Sequence, residues 1–141
     1  MAAGTVLSLP AEHRCVHEKP DATSLRRDAA DLLTRAQERL DSADFDTAIA
    51  LADACAGKLN AGRLDAKANA LRARCHVVAG TAATGLDRRE RAIEEFRRAL
   101  ALDPHLELAS DTTSPRVREL MALARSGASP WAATRLSPPF F

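Results

Sequence analysis

The sequence predicts an all-α protein built from antiparallel helical hairpins, and three observations carry that prediction. Apolar residues recur at intervals of three and four in five separate stretches, the spacing of one helix face. No stretch alternates apolar with polar residues as a half-buried strand does. Residues that cap or stop helices stand between the periodic stretches.

Residues 1–23 hold Pro10 and Pro20, few large apolar side chains and no sustained period, and read as a flexible N-terminal tail. The first helix follows, with Leu25, Ala29, Leu32, Ala36 and Leu40 as its apolar stripe. Ser24 is its expected N-cap, and Asp28 lies in the first turn, where negative charge suits the helix dipole. After the break "DSAD", Phe45, Ala48, Ile49, Ala52 and Cys55 mark a second helix, capped by Asp44, with Gly57 and Gly62 bracketing its end. A third helix is expected over residues 65–79, with Ala68, Leu71, Cys75 and Val78 facing inward, before "GTAATGLD" interrupts the pattern.

Asp87 and Glu90 have capping-box spacing for a fourth helix. Its Ala92, Ile93, Phe96, Ala99 and Leu100 turn inward, while the pairs Arg91/Glu95 and Glu94/Arg98 lie outside. Asp103-Pro104 stops it, because the residue before a proline avoids the α region. Ser114 caps the fifth helix, Pro115 occupies its first turn, and Gly127 ends it; Val117, Leu120, Met121 and Ala124 form its inner face. The helical domain therefore spans 24–126, followed by a C-terminal tail, 127–141, of prolines and bulky apolar residues.

Composition narrows the function classes. A chain of 141 residues fits one domain. Alanine is abundant and aromatics only 4%, so helices must approach closely to leave no voids. The net charge is +1 with acids and bases interleaved, whereas nucleic-acid binding needs a concentrated basic face. The longest uncharged central run, "CHVVAGTAATGL", is too short for a membrane span, and the N-terminus lacks the basic and apolar regions of a signal peptide. The expectation is a soluble, cytoplasmic protein. Cys15, Cys55 and Cys75 form no disulfide framework and suit a reducing compartment; Cys55 and Cys75, on apolar stripes, read as small buried hydrophobes, though they could pair if their helices touch.

"DFDTAIALADAC" and "RRERAIEEFRRA" share a register: Ala48 matches Ala92, Ile49 matches Ile93, Ala52 sits where Phe96 sits, and Cys55 where Ala99 sits. Each is preceded by another helix, so the unit is a hairpin occurring twice, and such units must stack to bury their faces. Small residues let the two helices of a hairpin approach; the aromatic is expected to fill the gap towards the next hairpin. With Ala92, Phe96, Ala99 and Pro104, "RAIEEFRRALALDP" resembles the second-helix consensus of the tetratricopeptide-repeat family. "ADFDTAIA" resembles that family's turn into its second helix, with Phe45 at the usual Tyr position. The first-helix Trp and Gly-x-x-Tyr have Ala68, Leu71 and Cys75 in their place, and the units stand further apart than the family's repeat of about 34 residues.

The resemblance implies a short curved stack whose concave face, lined by the first helix of each pair, binds a protein or peptide partner. Asp65, Asn69, Arg72 and His76 form a polar stripe on the third helix, with Arg35 and Arg39 beside it on the first. Asn69, Arg72, His76, Arg35 and Arg39 are thus the candidate partner-binding residues, although the same stripe also fits a solvated helix face. Trp131, Leu136, Phe140 and Phe141 in the tail fit equally a linker stub or a segment that docks on a helix groove, in this molecule or in a neighbouring copy; the last would make the chain a self-assembling structural subunit, a homo-oligomer, the alternative to an adaptor. In "EHRCVHE", Glu12, His13, Cys15, His17 and Glu18 are possible metal ligands, but they lie in an aperiodic segment with no second cluster, and no metal site is expected. With no nucleophile motif, phosphate-cradling loop or His-Glu-x-x-His, the sequence points to an adaptor without cofactor rather than to an enzyme.

Overall fold

A computed structural model describes residues 21–60, 65–109, 111 and 113–127. Five helices follow in order: α1 (Ala22–Asp41), α2 (Phe45–Asn60), α3 (Ala66–Gly85), α4 (Arg89–Leu102) and α5 (Pro115–Arg125). No strand occurs among the described residues. Successive helices pack on one another, and α1 and α5 also both pack against α3. The chain is therefore two stacked hairpins, α1–α2 and α3–α4, with α5 laid against the second.

The two hairpin turns share one geometry. Ala43 and Asp87 take left-handed φ values of 62° and 61°. In each turn the next N–H reaches back five residues, from Asp44 to the Arg39 carbonyl at 2.8 Å and from Arg88 to the Ala83 carbonyl at 2.9 Å. This is a Schellman closure, which satisfies the last carbonyls of the helix before it. Ala43 and Asp87 stand at the same offset as Ala48 and Ala92, so the turns repeat with the helices.

Several boundaries differ from the sequence expectation. Asp21, not Ser24, caps α1: its carboxylate accepts the Ser24 N–H at 2.7 Å, and its backbone is extended. The buried face of α1 then runs through Leu25, Ala29, Leu33 and Ala36, leaving Leu32 and Leu40 half-buried. Helix α2 passes through Gly57 to Asn60. Helix α3 continues through Gly80 to Gly85, because these glycines are places of close approach rather than breaks. A β-carbon at Gly80 would fall 2.6 Å from the Phe96 ring, and one at Gly85 would fall 2.6 Å from the Phe45 ring. Phe96 thus fills a gap inside its own hairpin, while Phe45 bridges from the first hairpin to the second. The expected capping box at Asp87 does not form; Arg88 is the N-cap of α4 and makes no side-chain capping bond, and Asp87 is paired with Arg116 of α5.

Helix α5 follows the sequence closely. Ser114 Oγ accepts the Val117 N–H, Pro115 opens the helix, and Gly127 follows its end at φ 77°. Its buried Val117, Leu120, Met121 and Ala124 join Ile93 and Phe96 in one cluster. A second cluster, largely alanine, lies among α1, α2 and α3. There Cys55 and Cys75 are joined by a disulfide that ties α2 to α3, the pairing left open in the sequence rather than two separate buried thiols. Both are fully buried.

Candidate partner-binding cleft

Helices α1, α3 and α5 border a cleft of about 710 Å³. On α3, Val77, Thr81 and Thr84 line it at spacings of four and three, one helical face. Gln37, Leu40 and Asp41 line it from α1, and Ser114, Arg116 and Val117 from the start of α5. Phe45 and Leu108 add apolar surface. Much of the polar lining is satisfied locally: Thr81 donates to the Val77 carbonyl at 2.8 Å, Thr84 to the Gly80 carbonyl at 2.9 Å, and Gln37 to Asp41 at 2.9 Å. The half-buried Leu40, Phe45, Val77 and Leu108 supply the apolar surface that a partner could meet.

The same faces of α1 and α3 continue towards their N-termini. There Arg26, Arg27 and Ala30 of α1 oppose Lys67, Ala70, Leu71 and Arg74 of α3 across a shallower opening of about 510 Å³. Arg26 donates to Asp65 at 3.1 Å. Asp65 also caps α3 by accepting the Ala68 N–H at 2.8 Å, and that bond holds its carboxyl below the usual range.

The polar stripe picked out in the sequence stands elsewhere on α3. His76 is buried, and its Nδ1 lies 2.7 Å from Glu95 Oε1 of α4. Glu95, expected on the outside, is 1% exposed. It accepts from Arg91 Nε at 2.9 Å and Arg98 at 3.5 Å, and Arg91 in turn grips both oxygens of Asp53 on α2 at 3.1 and 3.0 Å. Burial pushes the Glu95 carboxyl up, but the bonds and charges of His76 and Arg91 outweigh it and leave the group below its ordinary value. The carboxylate only accepts hydrogen bonds, so His76 Nδ1 carries the proton that joins them. The cluster ties α2, α3 and α4 together.

Asn69 and Arg72 are half-buried on the same side of α3 as His76. Asn69 Oδ1, Arg72 Nε and His76 Nε2 are buried with no hydrogen-bond partner among the described residues. None of the three lines either opening between α1 and α3. Arg35 and Arg39 are exposed on α1, 3.6 Å from Asp31 and 3.9 Å from Asp44 respectively, and they too stand outside the cleft lining. Trp131, Leu136, Phe140 and Phe141, like the His13–His17 segment, lie outside the described residues.

The cleft lining was missed in the sequence because α3 carries polar side chains on more than one face. Lys67, Arg74, Thr81 and Thr84 recur at helical spacing as regularly as Asn69, Arg72 and His76 do. No helix among the described residues is long and apolar enough to cross a membrane. No protein-family model, curated protein or solved structure matches the chain.

Proposed function

We propose that this chain is a noncatalytic adaptor, a small tetratricopeptide-like array that holds a partner peptide or protein in the cleft between α1, α3 and α5. One observation carries the reading: the first helix of each hairpin and the start of α5 line an open cleft, and the same faces of α1 and α3 line a second opening towards their N-termini. Rigid helices present its apolar surface ready-formed, so a partner gains contacts without reordering the fold. The resemblance of "RAIEEFRRALALDP" to the tetratricopeptide consensus supports the same reading. The Cys55–Cys75 bond bears on where it acts. Disulfides persist in oxidising compartments, so a cytoplasmic site of action requires that full burial shield this one from reductants.

Photo-crosslinking tests the proposal. A benzophenone amino acid is placed at Thr81 in the cleft or at Glu94 on the exposed face of α4, and the full chain is irradiated in lysate of its own cells. The adaptor reading expects a defined, saturable adduct from Thr81 that is absent from Glu94. Identical adducts from both positions would contradict it.

A further inference from the structure

Charge is distributed unevenly between the two openings along α1 and α3. The cleft bordered by α5 has one acid and one base in its lining, and both are engaged, Asp41 by Gln37 and Arg116 by Asp87. The second opening, further towards the N-termini of α1 and α3, is lined by Arg26, Arg27, Lys67 and Arg74, with no carboxylate in the lining. Asp65 answers part of this charge, as the partner of Arg26 and within the field of Lys67. Arg27 and Arg74 have no ion-pair partner among the described residues, and both are exposed. In a protein of net charge +1, this is a local concentration of one sign, beside an apolar cleft on the same helix faces.

From this we infer that the occupant of the cleft is an acidic stretch of a partner polypeptide, its carboxylates meeting Arg27, Lys67 and Arg74 while an apolar side chain packs against Leu40 and Val77. The inference rests on the cleft reading above and narrows it to one class of partner. Two features favour a polypeptide over a nucleic acid. Four cations can neutralise only a few phosphates, and nucleic-acid affinity grows with the number neutralised. The neighbouring Leu40, Phe45 and Val77 offer nothing to a phosphate backbone, whereas an apolar side chain can pack against them. Arginines supply paired donors suited to carboxylates, and complementary charge sets selectivity and encounter rate.

The test starts from a random-peptide display library panned against the full chain. An enriched peptide is then labelled with fluorescein and titrated by anisotropy. The inference expects enriched peptides to place Asp or Glu next to a large apolar residue. Replacing those acids by their amides, or the protein's Arg27→Glu/Arg74→Glu double substitution, should weaken binding about tenfold or more. Both arginines are exposed, so the double variant should keep its helical circular dichroism. Neutral or basic peptides that bind the double variant as well as wild type, yet fail to bind Val77→Arg, would overturn the acidic preference and leave the cleft reading standing. Peptides that bind Val77→Arg and wild type equally would overturn the cleft reading itself. A labelled oligothymidine that binds more tightly than the acidic peptide would overturn the choice of partner class.

Discussion

Gly80 lies directly beneath the ring of Phe96. A β-carbon there would fall 2.6, 2.8 and 2.9 Å from three of its ring atoms, and the ring is fully buried. Helices α3 and α4 therefore meet through bare backbone on one side and the largest core side chain on the other. This pair sets how closely the second hairpin closes.

Two glycines inside helices should consequently respond to alanine with opposite signs. At Gly57 a β-carbon meets nothing within 4 Å, so Gly57→Ala should stabilise the protein by up to about 1 kcal/mol through helix propensity alone. At Gly80 the same propensity gain is opposed by overpacking of about 1–3 kcal/mol, and Gly80→Ala should be net destabilising. Urea denaturation of both variants checks the pair. A stabilised Gly80→Ala would show that the ring is free to move.

The same pair explains which features were legible in the sequence. Helix α5 was readable in full because Ser114, Pro115 and Gly127 act locally, each on backbone within a few residues. The last turns of α3 were not. Gly80 and Gly85 have the composition of a break, and only rings from α4 and α2 reveal them as contact points. Glu95 misled for a similar reason: its i,i+4 spacing to Arg91 is that of a solvated pair, and its burial depends on His76 from another helix. The tetratricopeptide resemblance implied a groove along α1 and α3, but neither the face of α3 that lines the cleft nor the part of α5 in its wall was legible in the sequence. His76 turns towards Glu95, and that rotates Arg74, Val77 and Thr81 into the cleft.

Glu95 should give the protein an acid-sensitive element. Its folded-state pKa is below the ordinary value of 4.5, so its contribution is present above that value and is lost as pH falls through the lower, folded one. Glu95→Gln should cost about 1–3 kcal/mol near neutrality, because hydrogen bonds from His76 and Arg91 lose their charged acceptor. The gap to wild type should narrow in acid. Urea midpoints measured across the acid range test this, and parallel curves for the two proteins would count against it.

Helices α2 and α3 should loosen when the Cys55–Cys75 bond is absent. The bond closes a loop with a sequence separation of 20, for which chain entropy gives a stabilisation of about 3 kcal/mol. Alkylation in denaturant without reductant should label Cys15 alone, and reductant should expose all three cysteines and lower the urea midpoint. Labelling of all three before reduction would contradict the pairing.

Helix α5 should depend on its first turn. Ser114→Ala removes the acceptor for the Val117 N–H and should cost about 1 kcal/mol. Hydrogen exchange should quicken first at residues 117–121, since they begin the helix that covers Ile93 and Phe96. Unchanged protection there would mean that packing alone holds the helix start.

The most direct test of the account is an amide NMR titration of the full chain with the acidic peptide enriched by display. Binding in the cleft predicts shifts at Arg27, Leu40, Arg74, Val77 and Thr81, with Asp53, Arg91 and Glu95 unmoved. Shifts centred on Asp53, Arg91 and Glu95, with the α1–α3 faces silent, would contradict it and would make the seam between α2 and α4 the binding surface.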